Sequence, residues 1–151
     1  MTMPIHLDHL HLDHPHLDHL SGEALERESE QAKKSLIAKA QRTAILLEGN
    51  RDRGLALAVY DLILAVDASD AQAHARRGVI LMQQGRLLES PAACEEAARL
   101  NPENPSTYIY LAEVLQLCEQ PDAAIQAWQK AKKLNPVLTR ANQDSIRSLA
   151  L

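Results

Sequence analysis

Apolar residues along this chain are spaced for helices, and the spacing begins late. From Leu36 the stripe Leu36, Ala40, Ala44 and Leu47 recurs at three- and four-residue intervals and lines one face of a helix. The stretch Glu26 to Ser35 before it is polar on nearly every face, with Glu30 and Lys34 spaced as an i,i+4 ion pair, so it predicts an exposed or partner-bound helix. Ser21-Gly22-Glu23 suits the opening of that helix, with Ser21 as N-cap and Glu23 and Glu26 near the positive end of its dipole. Residues 1–20 follow another rule. His6-Leu7-Asp8-His9, His11-Leu12-Asp13-His14 and His16-Leu17-Asp18-His19 recur every five residues, a period that fits neither helix nor strand, and Pro15 interrupts the run. The expectation is a flexible tail over 1–20 and an N-terminal helical extension over 21–36.

Beyond Leu36 the chain repeats itself with a period of 34 residues, as Val66-Asp67-Ala68, Leu100-Asn101-Pro102 and Leu134-Asn135-Pro136 show. The same interval separates Ala44, Gly78 and Ala112, then Leu47, Leu81 and Leu115, then Ala56, Ser90 and Ala124, then Tyr60, Cys94 and Trp128. Small residues recur where two helices cross closely, larger ones where a neighbour leaves a gap, and Pro102 and Pro136 stop the second helix of a unit. Each unit therefore predicts a helical hairpin, over 37–70, 71–104 and 105–138. Ser90 as N-cap with Pro91 at the first helical position gives the second unit's later helix a late start, and Pro121-Asp122 opens the corresponding helix of the third. Ile146, Leu149 and Leu151 give 139–151 an apolar side suited to a short capping helix.

This pattern resembles the tetratricopeptide repeat over about residues 37–138. The resemblance implies an all-α fold, a right-handed superhelical stack of about three helical hairpins with an N-terminal helix and a short C-terminal capping helix. Each copy departs from the family pattern somewhere. Ala68 replaces a terminal proline, His74 holds a usual aromatic place, and Glu119-Gln120 stands where a glycine turn is common.

Composition changes this picture little. A length of 151 residues, 46% hydrophobic and 24% charged, fits one soluble globular domain, and the net charge of −4 offers no basic face for nucleic acid. Neither a secretory leader nor an apolar stretch of membrane-spanning length is visible, so a cytoplasmic protein is expected, without membrane insertion. Cys94 and Cys118 have no metal spacing and read as reduced thiols. Phe is absent and aromatics make up 3%, so the core is mostly Ala, Leu, Val and Ile; three hairpins are near the minimum for a stacked core, which favours a homodimer.

The repeats contain no nucleophile elbow, Gly-rich phosphate loop or Cys-x-x-Cys, so no enzyme is expected and no cofactor is required. His74 reads as a packing residue rather than a base for either cysteine. Ligand chemistry concentrates in the tail, where His6, His9, His11, His14, His16 and His19, with Asp8, Asp13 and Asp18, suit opportunistic Zn²⁺, Ni²⁺ or Cu²⁺. A repeating tail offers many interchangeable ligand sets and no second shell to select among metals.

The family resemblance implies that the first helices line a concave groove, facing it with Gln41, Ile45 and Glu48, then Ala75, Val79 and Met82, then Ile109, Glu113 and Gln116. In relatives that hold chaperone C-terminal carboxylates, this face carries a clamp of Lys, Arg and Asn. Here Gln41, Ala75 and Ile109, then Ile45, Val79 and Glu113, stand in the matching places, so the clamp is absent. Such a groove suits an extended peptide or amphipathic helix with apolar anchors. The expected function is a non-catalytic scaffold or adaptor binding a partner protein. One alternative is a small chaperone resembling those of bacterial type III secretion, by size, acidity and an apolar groove; the other is a metal-handling protein that uses the histidine tail.

Overall fold

The computed structural model describes residues 15–137, all of them in helices or the turns between helices. Six helices follow in order: α1 (Pro15–Gly49), α2 (Arg53–Val66), α3 (Ala71–Gln83), α4 (Ser90–Leu100), α5 (Pro105–Leu117) and α6 (Pro121–Leu134). The chain groups into two units, Met1–Ser35 and Leu36–Leu151. In the first, α1 already begins at Pro15, ahead of the N-cap expected at Ser21. Proline is favoured in the first helical turn because its missing N–H would be unbonded there anyway. Residues 22–32 are exposed throughout, in keeping with a sequence polar on every face. The expected capping helix over 139–151 lies outside the described residues.

The second unit is an all-α stack of helical hairpins, α3 packing most extensively on α4 and α5 on α6. One core cluster joins Ala44 of α1, Ala56, Leu57, Tyr60 and Ile63 of α2, and Ala73, Ile80 and Leu81 of α3. A second joins Ile109, Ala112 and Leu115 of α5 to Ala124, Ala127, Trp128 and Ala131 of α6. Every small residue of the repeated crossings, Ala44, Ala56, Ser90, Ala112 and Ala124, is fully buried, and Gly78 is buried with them. The closest approach is at Gly78, where an added Cβ would run into Cys94 Sγ and lie 3.2 Å from the Ser90 carbonyl oxygen. Ser90 does not serve as the N-cap of α4. Its hydroxyl is buried and donates to the Gly78 carbonyl oxygen at 2.7 Å, a bond between the two crossing helices, while Glu89 stands at the cap with its carboxylate accepting from Arg86 instead of from the helix's own N–H groups.

The period is also written in the backbone. Arg51, Gly85 and Glu119, spaced by the repeat, all take positive φ, at 63°, 75° and 58°. After each, a backbone N–H returns to the carbonyl of a repeated leucine: Asp52 to Leu47, Arg86 to Leu81 and Gln120 to Leu115, at 2.8–2.9 Å. This six-to-one bond satisfies a carbonyl left over at the helix end and turns the chain into the next helix. Only the middle turn uses glycine, the residue that takes this conformation without strain. The hairpins are joined by a second repeated device. Asp70 and Asn104, again one period apart, cap α3 and α5 by accepting from the Ala73 and Ser106 N–H groups at 2.9 and 3.0 Å.

A candidate peptide-binding face

The first helix of each hairpin carries the nine residues expected to face a groove, and the structure divides them. Ala75 and Ile109 are buried, 6% and 4% exposed, and Ile109 belongs to the core of the third hairpin. A charge at Ile109 would therefore test stability rather than recognition, and these two contribute little accessible surface. Ile45 is 44% exposed, and Val79, Met82, Glu113 and Gln116 are partly exposed. Helices α3 and α5 pack side by side, so Val79 and Met82 lie on the helix next to the one that carries Glu113.

Gln41 and Glu48 are held by polar partners. The Gln41 amide donates to Asp70 Oδ2 at 2.7 Å, so the carboxylate that caps α3 also fastens α1. Glu48 accepts from the Tyr60 hydroxyl at 2.7 Å and pairs with the Arg76 guanidinium at 3.5 Å, joining α1, α2 and α3. Burial, then the bond to Glu48, push the Tyr60 phenol well above its ordinary range. From its place in the repeat alone, Tyr60 reads as a filler of apolar space. Its hydroxyl partner lies twelve residues upstream, and the same interval leads from Trp128 to Gln116. In that third hairpin, however, the buried Trp128 Nε1 has no hydrogen-bond partner among the described residues.

Glu113 is different again. Burial pushes its carboxyl up from the ordinary carboxylate range, and it makes no hydrogen bond or ion pair with any described residue. Charge on this face is thus uneven, compensated at Glu48 and uncompensated at Glu113.

The thiols are placed for packing. Cys94 is completely buried and burial pushes it up to about 12, so it stays protonated at the Gly78 crossing. Cys118, more exposed than Cys94, is partly buried and donates to the Leu87 carbonyl oxygen at 3.3 Å. The His74 ring bonds the Ala68 carbonyl oxygen at 3.0 Å and approaches neither cysteine by any bond. His6, His9, His11 and His14 lie outside the described residues, and His16 and His19 fall in the first turns of α1. Among the described residues no group of three or more His, Cys, Asp or Glu is arranged to hold a metal ion, and no helix is long and apolar enough to cross a membrane.

With this geometry in place, the comparisons agree on one architecture. A family model described as tetratricopeptide repeat matches residues 93–126, from α4 through α5 into α6. No curated protein matches the chain. Among solved structures, the Yersinia enterocolitica type III secretion chaperone SycD, bound to a peptide of the translocator YopD, is similar with a TM-score of 0.69 and 14% identity, over 76% of this chain and 89% of that one. YrrB, a tetratricopeptide-repeat protein with an unusual peptide-binding site, is 29% identical with a TM-score of 0.60, over 70% of this chain and 58% of that one. A mutant of the Thermobaculum terrenum O-GlcNAc transferase is 18% identical with a TM-score of 0.67, over 69% of this chain but 20% of that one. The chain thus spans a fifth of the transferase and little more than half of YrrB. Its second unit is an all-α stack of helical hairpins similar to those of tetratricopeptide-repeat structures.

Proposed function

We propose that this chain is a non-catalytic protein-interaction module, a scaffold or adaptor that holds a peptide or helix of a partner protein in a concave, partly apolar groove along α1, α3 and α5. The observation that carries the reading is the accessible mixed face of Ile45, Val79, Met82, Glu113 and Gln116 on first helices whose other sides are committed to the core. The likeness to YrrB and SycD, both described with peptide sites, supports it. The SycD likeness also supports a narrower version, in which the chain shields apolar segments of a client, as a secretion-type chaperone would.

The test is capture of partners from source-cell extract by wild-type protein and by Met82→Glu, with and without chelator, followed by mass spectrometry. A client retained in chelator and lost in Met82→Glu, while helicity is unchanged, is the expected result. A client unaffected by Met82→Glu places the site elsewhere, and one lost in chelator transfers the function to the histidine tail.

Self-association is the second element of the proposal. Helix α2 is apolar on its outer side as well as its inner one, with Leu55, Leu62 and Val66 exposed at helical spacing. A homodimer would cover such a face. A monomer at every concentration in sedimentation would remove this element.

A further inference from the structure

We propose that the groove selects partner segments in which a Lys or Arg stands among aliphatic side chains, and that Glu113 is the residue that reads the positive charge. This rests on the peptide-binding reading above and adds the chemistry of the ligand.

The candidate residues of the groove include two carboxylates, Glu48 and Glu113, and no cation. Glu48 is already satisfied, by the Tyr60 hydroxyl at 2.7 Å and the Arg76 guanidinium at 3.5 Å. Glu113 occupies the same register position as Val79 in the preceding repeat, where no carboxylate is needed for packing. Where Arg76 reaches back from α3 to Glu48 on α1, its counterpart one period later on α5 is Tyr110, so the interval between α3 and α5 lacks an equivalent cation. The result is a partly buried carboxyl with no hydrogen-bonding or ionic partner among the described residues, on a helix that packs beside α3, which carries Val79 and Met82. Removing a carboxylate from water without a partner is unfavourable, and a cationic group brought by a ligand would reverse that penalty. The aliphatic neighbours define the rest of the ligand, because they reward apolar side chains on either side of the base, and methionine adapts to their shapes. A ligand with an acidic or neutral centre gains the apolar contacts but leaves Glu113 unrelieved or repelled.

The experiment is a selection of random displayed peptides on purified full-length protein, run in parallel on Glu113→Gln and on Met82→Glu. Binding of synthetic copies carrying Lys, Gln or Glu at the central position is then measured by titration. Enrichment of Lys or Arg between aliphatic residues on the wild type, with about tenfold weaker binding of the Lys peptide to Glu113→Gln, is the expected result. The Gln peptide should lose no affinity on Glu113→Gln. Peptides that require Met82 yet show no basic preference would overturn this inference and leave the groove reading intact. Failure to select any peptide sensitive to Met82→Glu would overturn both. Selection that succeeds only after residues 1–14 are removed would mean that the chain's own segment occupies the groove, which also overturns the proposal.

Discussion

The two intervals between successive first helices are held together by different physics. Between α1 and α3 a shared apolar core is supplemented by polar ties: Gln41 to Asp70, and Glu48 to both Tyr60 and Arg76. Around α3, α4 and α5 the packing is tight and largely apolar, with Gly78 against Cys94 and a single hydroxyl bond from Ser90 to the Gly78 carbonyl. One hairpin register thus accommodates two solutions. The first interval pairs its charged groups with one another, whereas in the second Glu113 has no hydrogen bond or ion pair with any described residue, and the proposed recognition of a base rests on that difference.

The largest effect should come from breaking the close-packed side. Gly78→Leu should destabilise the fold by about 3 kcal/mol or more, since the crossing has no room for a side chain. A sharper form uses a cycle: Gly78→Ala and Cys94→Ala should each destabilise, and the double variant should cost less than their sum because the Cβ takes the space of the lost sulfur. Additive urea midpoints would mean the two groups do not compete.

The polar side should yield less. Tyr60→Phe leaves Glu48 with Arg76 alone and should cost about 1 kcal/mol. The phenol is held above its ordinary 10.0 in the folded state, so its contribution is full below pH 10. As pH rises further, the unfolded chain gives up its proton first and the folded state loses that advantage. The stability gap between wild type and Tyr60→Phe should therefore narrow above pH 10 in alkaline denaturation. A constant gap would detach Tyr60 from this linkage.

Both regions share one local strain, and relieving it should be milder still. Arg51→Gly and Glu119→Gly should each stabilise by about 1 kcal/mol or less, since non-glycine residues there sit at positive φ. Unchanged or lower melting temperatures would indicate that these side chains make compensating contacts. The smallest effect is at Glu113. Its folded carboxyl is raised above the ordinary 4.5, so the protonated form favours folding and that contribution is lost as pH rises through the folded value. Glu113→Gln should accordingly raise the melting temperature slightly at neutral pH, and the gain should disappear below pH 4.5. A fall at neutral pH would mean the carboxylate has a stabilising partner.

The repeat was legible because close crossings force small residues at fixed intervals: Ala44, Gly78 and Ala112 stand one period apart and all are buried. The turns were half legible. Gly85 announces its left-handed conformation, but Arg51 and Glu119 adopt it under the pull of the carbonyls of Leu47 and Leu115, and side-chain chemistry gives no sign of that. Register alone could not separate Ile109 from Val79, since both lie on the inward side of a first helix and only the depth of the neighbouring helices buries one of them. Nor could it show that Ser90 bonds across the crossing instead of capping its own helix. Polar pairs such as Gln41 with Asp70 depend on side-chain reach between helices, which a one-dimensional spacing does not encode.

The central claim, that the face of α3 and α5 is the working surface, is tested most directly by methyl NMR of the full chain titrated with a bound peptide. Shifts concentrated at Met82, Val79 and Ile45, with Leu55, Leu62 and Val66 of α2 unmoved, are the predicted result. Shifts confined to the α2 methyls, with Met82 and Val79 silent, would contradict the account and move recognition to the outer face of the first hairpin.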